Sequence, residues 1–194
     1  NSDTPKVLHE VSGIPMIEHV INKAKLLKPS KISIMINRDL SGIPKKYPNV
    51  QTMIQEPQLG TGHAVQIFLK KNKLKNSKLL VLYGDNPLVN SVDLKNMNNE
   101  LKKNDLVIMG FDQDKNSSYG IIIEKKGMVE EIVEFKDATK LQKKIRVCNS
   151  GIIALGSRAL KLVNQIKNNN VKKEFYLTDI VKLSKKYNHK IKLI

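Results

Sequence analysis

Leu79-Leu-Val-Leu-Tyr-Gly84-Asp85-Asn-Pro87-Leu88 is the stretch whose reading decides the fold. Five apolar or aromatic residues run without interruption before Gly84 breaks the run and Asp85 follows. Such a run, bounded by Gly and Pro, predicts a strand over Leu79–Tyr83 buried on both faces, as in a parallel sheet. Gly84 lets the backbone turn at the strand's end, and Pro87 keeps the ladder from continuing. Asp85 then stands beyond the carboxyl end of a strand, where open α/β sheets bind ligands. A carboxylate in that place reads either as a Mg²⁺ ligand facing substrate phosphates or as a turn residue or helix cap.

The surroundings set limits on both readings. With 194 residues, 40% hydrophobic and 27% charged, the chain has the composition of a folded α/β domain with a sizeable core. Its apolar runs are strand-sized, so no membrane-inserting helix is expected, and the start shows no basic and apolar leader pattern. It begins Asn-Ser-Asp-Thr-Pro-Lys without an initiating Met, from which a fragment or a processed chain is expected. The single cysteine, Cys148, allows no intrachain disulfide and reads as a small core residue rather than a nucleophile. That usage fits a reducing cytoplasm. The net charge is +16, yet of 34 basic residues only Arg38, Arg146 and Arg158 are arginines. Lysines spread along the whole chain beside many asparagines reflect compositional drift better than a nucleic-acid face, which concentrates arginine on one side.

Taken in order, residues 1–13 are polar and turn-rich, and Ile14 to Leu27 carries apolar residues at helical spacing, with Pro15 suited to the first turn. Lys31–Ile36 and Gln51–Gln55 read as strands around a Lys-rich loop holding at most one helical turn. A helix follows from about Gly60 to Lys71, then the strand at Leu79, then a helix over Val92–Lys103. This alternation predicts a parallel α/β sheet. From Leu106 the texture becomes β-rich: Leu106–Phe111, Gly120–Glu124, Met128–Glu134 and Val147–Leu155 read as strands, with Lys125-Lys126-Gly127 as a tight turn. Helices are expected over Ala159–Lys167 and Leu177–Lys186, and a closing strand over Lys190–Ile194.

Gln58-Leu-Gly60-Thr61-Gly62-His-Ala64 places two glycines around a threonine at a helix start, a loop able to approach a base or phosphate closely or simply to begin a helix. It is neither a Walker A loop nor a dinucleotide fingerprint. Glu134-Phe-Lys-Asp-Ala-Thr139 follows a strand and Cys148-Asn149-Ser-Gly151 opens another. Glu134 and Asn149 read as sugar-hydroxyl partners or as turn and cap residues.

Together, Lys6 in Thr-Pro-Lys, Gln58–Ala64, Tyr83-Gly-Asp85, Tyr119-Gly120, Glu134–Thr139, Asn149-Ser-Gly151 and Glu174-Phe-Tyr-Leu-Thr-Asp179 follow the order found in sugar-nucleotide nucleotidyltransferases. Over essentially its whole length the chain resembles the uridyltransferase domain of the bacterial bifunctional N-acetylglucosamine-1-phosphate uridyltransferases/glucosamine-1-phosphate acetyltransferases. The resemblance implies a Rossmann-like nucleotidyltransferase fold, α/β, with a mixed, mostly parallel sheet flanked by helices and a β-rich sugar-binding part. It divides the chain into a nucleotide-binding half, 1–105, and a sugar-binding half, 106–194. It implies uridylyl transfer from UTP to N-acetylglucosamine 1-phosphate, giving UDP-N-acetylglucosamine and pyrophosphate, a precursor step for cell wall and lipopolysaccharide. By the same resemblance Asp85 would bind Mg²⁺ and Lys6 would neutralise phosphates. Gln55, Gly60 and Thr61 would hold the uracil, with Tyr83 and Gly84 lining the nucleotide site. Gly120, Glu134 and Asn149 would hold the sugar and ribose.

Against the family's pattern, the N-terminal glycine-rich loop, an Asn that is the second Mg²⁺ ligand and the acetyltransferase β-helix domain all fall outside this sequence. Assembly as a trimer is expected only through that last domain. Ile121 stands where the family usually has Arg. Low stability and weak activity of these 194 residues alone are expected, because the family's first strand is central in its sheet. The alternatives are a non-catalytic, sugar-nucleotide-binding remnant, another sugar-1-phosphate nucleotidyltransferase and, last, a basic nucleic-acid-binding module.

Overall fold

The computed structural model describes residues 4–74, 76–113 and 118–194, so residues 1–3 of the turn-rich start lie outside it. The chain divides into two compact units, one of residues 1–58 and 82–96, the other of residues 59–81 and 97–194. The units interleave in sequence, whereas the halves 1–105 and 106–194 are a division by expected role.

In the first unit a single turn of 3-10 helix, Lys6–Leu8, leads into a short hairpin of β1 (Glu10–Val11) and β2 (Ile14–Pro15). Helix α1 spans Met16–Lys25 and buries Ile17, Val20 and Ile21, the face that the apolar spacing predicts. Pro15 is the residue just before the helix rather than inside its first turn, because Ile14 and Pro15 are spent on the hairpin. Strand β3 (Ser33–Ile36) pairs in parallel with β4 (Gln51–Ile54), and between them lie a 3-10 turn, Arg38–Leu40, and the four-residue helix α2 (Ile43–Lys46). Ile17, Ile21, Ile36, Ile43, Tyr47 and Val50 form this unit's core.

Helix α3 (Thr61–Lys71) opens the second unit, followed by β5 (Leu79–Val81). Helix α4 (Ser91–Glu100), whose residues up to Asn96 count with the first unit, precedes β6 (Leu106–Asp112), β7 (Ile121–Lys125) and β8 (Met128–Val133). Lys126 and Gly127, both at positive φ (52° and 72°), make the two-residue turn of the β7–β8 hairpin, the geometry a right-twisted hairpin prefers. Strand β9 spans Val147–Leu155, α5 Ser157–Leu160, α6 Ile180–Lys186 and β10 Ile191–Leu193. The six strands form one mixed sheet, β10-β6-β9-β7-β8, with β5 added along β9. Its core includes Leu106, Ile108, Ile122, Ile153, Leu155, Leu177, Ile180 and Val181, all at 1% exposure or less.

Two expectations change. The Leu79 strand is three residues long and half-buried, and it runs antiparallel to Ile153–Leu155 of β9 rather than inside a parallel ladder. Leu82 and Tyr83 leave the ladder as the chain enters the turn at Gly84, and among the described residues β5 pairs with no other strand. The helix expected over Ala159–Lys167 shrinks to α5 and a 3-10 turn, Val163–Gln165, although its apolar residues Ala159, Leu160, Leu162, Val163 and Ile166 are buried all the same. Ile121, where the family usually has Arg, is only 2% exposed and pairs with Cys148 and Val133 inside the sheet. Among the described residues no helix is long and apolar enough to cross a membrane.

Because Ile153 sits on the central strand at 1% exposure, Ile153→Ala leaves a cavity that the sheet cannot collapse. A loss of about 2–5 kcal/mol is expected, read from the shift of the urea unfolding midpoint.

Candidate functional site

Each unit carries its own set of the residues singled out in the sequence. In the first unit the turn Tyr83–Asn86 is closed by the Asn86 N–H donating to the Tyr83 carbonyl at 3.2 Å. The Lys6–Leu8 turn packs on it. A Cβ placed on Gly84 would lie 3.2 Å from Val7 Cγ1 and 3.7 Å from the Ile17 side chain. A side chain at position 84 would crowd Val7. With the two turns in contact, the Lys6 ammonium donates to Asp85 Oδ2 at 2.6 Å. The lysine is 74% exposed and the carboxylate 29%. Gln55 extends the β3–β4 ladder, its N–H donating to the Ile36 carbonyl at 2.8 Å.

An ammonium held against Asp85 shows that the carboxylate accepts a cation. Among the described residues no group of three or more His, Cys, Asp and Glu side chains could hold a metal by itself. One carboxylate, completed by water and substrate phosphate, is a common set for Mg²⁺, so the residues present fit that ion only together with a phosphate ligand.

In the second unit the glycine loop is committed to its own chain. The Gly62 N–H donates to the Phe175 carbonyl at 2.7 Å, and the Phe175 N–H donates to the Leu59 carbonyl at 2.8 Å. Thr61 Oγ1 accepts from the Leu177 N–H at 3.1 Å. A Cβ on either Gly60 or Gly62 would fall 2.8 Å from the Phe175 carbonyl oxygen, and Gly60 has φ 99° besides. Both glycines are therefore needed for the close approach of the 174–177 backbone, a structural demand that stands whatever base the loop holds.

Strand register brings the remaining three together. Ile121 lies opposite Val133 on one side and Cys148 on the other. One residue earlier, Gly120 is therefore flanked by Glu134 and Asn149. The Asn149 N–H donates to the Gly120 carbonyl at 2.7 Å, and a Cβ on Gly120 would meet Glu134 Oε1 at 3.5 Å. Asn149 is 6% exposed, and its Oδ1 accepts from the Gly151 N–H at 3.1 Å. Glu134 accepts from the Thr178 hydroxyl at 3.1 Å.

Glu134 alone of the three lines a cleft of about 570 Å³, shared with Asp137, Asn170, Tyr176, Asp179 and Lys182 among others. Burial raises the Glu134 carboxyl above its ordinary range, against the Thr178 hydrogen bond and Lys172. Burial also raises Asp179, against Lys182 and helped by Asp137 and Glu131. The Tyr176 phenol is pushed up to about 12 by burial, with the neighbouring carboxylates Asp137, Glu174, Glu134 and Asp179 adding to it. Such a cleft favours neutral hydroxyl groups over a second anion. The residue-level reading missed Asp137, Tyr176, Thr178 and Asp179, although all four lie in the Glu134–Thr139 and Glu174–Asp179 segments. The first segment drew notice for Glu134 and the second only for its place in the family's order, and only the fold shows that the two face each other.

The architecture that positions these residues is shared with solved nucleotidyltransferase structures. A putative glucose-1-phosphate thymidylyltransferase from Bacillus anthracis, in complex with a sucrose, matches with a TM-score of 0.78 at 18% identity, over 98% of this chain and 78% of that one. UDP-glucose pyrophosphorylase complexed with UDP-glucose matches with 0.74 at 14% identity, over 98% and 82%. The fold is thus that of a Rossmann-like nucleotidyltransferase. The chain belongs to the family of MobA-like NTP transferase domains, whose model matches residues 2–151. It is 36% identical over 190 residues to the bifunctional protein GlmU of Ruegeria sp. (strain TM1040), and 34% over 199 residues to that of Bartonella quintana (strain Toulouse). These matches take in 95% and 100% of this chain but 42% and 44% of the relatives, so the chain spans less than half their length.

Two outcomes follow from this geometry. Gly62→Ala drives a methyl group into the Phe175 carbonyl, and a loss of about 1–3 kcal/mol is expected in chemical unfolding. For Glu134, the folded state binds its proton more tightly than the unfolded chain. Its contribution is therefore most favourable below the ordinary value of 4.5 and is lost as pH rises through the raised value. Glu134→Gln removes that loss. The variant's unfolding midpoint should exceed the parent's at about pH 7 and converge with it toward about pH 4.

Proposed function

We propose that the domain transfers a uridylyl group from UTP to N-acetylglucosamine 1-phosphate, releasing pyrophosphate and forming UDP-N-acetylglucosamine. The observation that carries this reading is the pairing of Lys6 with Asp85 at the end of the Gly84 turn, in a family of NTP transferase domains whose matched relatives are GlmU proteins. The hydroxyl-favouring cleft beside Glu134 supports the sugar end.

In this reaction the sugar phosphate oxygen attacks the α-phosphorus and pyrophosphate leaves, so no covalent enzyme intermediate is needed. The chain's task is positioning and charge stabilisation. Asp85 would hold a Mg²⁺ ion, which supplies neutralisation of the phosphate oxygens when bound. Lys6 would place its ammonium on the same phosphates, as a mobile point charge on a long stem. Gln55, Gly60, Thr61, Tyr83 and Gly84 would line the nucleotide, with the uracil at Gln55 and the glycine loop. Gly120, Glu134 and Asn149 would hold the sugar and ribose. Glu134, its carboxyl raised by burial, presents an oxygen already accepting from one hydroxyl, that of Thr178, and suited to a second from the sugar. Residues 1–105 would then be the nucleotide half and 106–194 the sugar half, acting in the cytoplasm.

Pyrophosphate release from UTP in the presence of Mg²⁺ tests the reading. N-acetylglucosamine 1-phosphate should be preferred to glucose 1-phosphate as acceptor, and Asp85→Asn should lower kcat/KM by about 100-fold or more with the circular dichroism spectrum unchanged. Equal rates with glucose 1-phosphate would move the assignment to another sugar. UDP-N-acetylglucosamine binding without any turnover would make the domain a binding module.

A further inference from the structure

We infer that Lys6 serves Asp85 as a placeholder cation, which keeps a divalent ion off the carboxylate until a nucleotide arrives and then passes to the phosphates. The inference rests on the proposed reading of Asp85 as the metal-holding carboxylate. It starts from the 2.6 Å ion pair between Lys6 Nζ and Asp85 Oδ2. An ammonium at that distance occupies Asp85 Oδ2, and a second positive charge is repelled there.

The pair is built to separate without disturbing the fold. The backbone of Lys6 is fixed: Pro5 precedes it, the Leu8 N–H donates to the Pro5 carbonyl at 2.8 Å, and the His9 N–H donates to the Lys6 carbonyl at 3.2 Å. Val7, the next residue, packs against Gly84. The side chain, by contrast, is 74% exposed, and its four-carbon stem allows the ammonium to swing away from Asp85. An exposed pair of this kind is worth roughly 0–1 kcal/mol. A metal ion alone must overcome that small cost and the charge repulsion, with a single carboxylate as its reward. A metal ion arriving with a triphosphate gives the displaced ammonium a phosphate oxygen to bind, a charge-assisted hydrogen bond.

Opposite signs are therefore expected for one substitution under two conditions. Mn²⁺ binding, followed by electron paramagnetic resonance, is measured without nucleotide in the parent chain, Lys6→Met and Asp85→Asn. UTP binding in the presence of Mg²⁺ is then measured by calorimetry in the parent and Lys6→Met. Lys6→Met should tighten binding of Mn²⁺ alone by about threefold to fivefold. It should weaken UTP binding by about tenfold or more. Asp85→Asn should abolish the Mn²⁺ signal change. A Lys6→Met protein that binds Mn²⁺ no more tightly than the parent, while Asp85→Asn still abolishes binding, overturns the placeholder role and leaves Asp85 as the metal ligand. Unchanged Mn²⁺ binding in Asp85→Asn overturns both. A lysine with a merely structural role would shift neither affinity, or both in the same direction.

Discussion

Backbone pairing along β9 is the constraint on which the sugar-side residues depend. This nine-residue strand bonds to β6 along one edge and to β5 and then β7 along the other. Its register with β7, and that of β7 with β8, sets Gly120 between Asn149 and Glu134. None of the three would find the others without that ladder, since they are spread over 30 residues of chain. A one-residue slip would turn every side chain to the opposite face, and the buried face here is dense enough to forbid it. The bulge in β6 between Ile108 and Gly110 belongs to the same arrangement. Ser150 Oγ donates to the Met109 carbonyl there at 2.7 Å, so the irregular backbone is satisfied from β9 itself.

A second dependency runs from the glycine loop to the cleft. The segment 174–178 offers its Phe175 and Leu177 backbone to Leu59, Thr61 and Gly62. In the same few residues Tyr176 lines the cleft and Thr178 donates to Glu134. Asn170 holds the start of this segment, accepting from the Glu174 N–H at 3.1 Å and donating back to its carbonyl. Two glycines missing their Cβ atoms therefore do more than open a helix: they let a strap lie close enough to set the wall of a cleft formed by other strands. Backbone bonds and one hydroxyl thus connect the loop to Glu134.

The alternation of apolar runs and helical spacing made the α/β class legible, and β9 was readable to the residue because its apolar stretch Ile152–Leu155 ends at Gly156. The β7–β8 turn was legible from Lys126-Gly127. Pairing partners were not. Leu79–Val81 has the texture of a parallel core strand, yet its neighbour is antiparallel, and nothing local in three apolar residues distinguishes the two. The helix over Ala159–Lys167 failed because burial of its apolar residues is met equally by a shorter α-turn followed by a 3-10 turn. At the site, the segments were legible and their partnerships were not. Thr61 and Gly62 stood out as loop chemistry, but their tie to Phe175 and Leu177 spans more than a hundred residues of sequence.

Net charge illustrates the same distinction between composition and place. A chain at +16 repels cations and attracts polyanions at long range, yet net charge governs association more than local chemistry. Glu134, Asp137 and Asp179 share one cleft, and their charges add to the burial that raises the Tyr176 phenol there. Lys182, on the same cleft, is turned to Glu131 at 2.6 Å, which limits how far it offsets the acids.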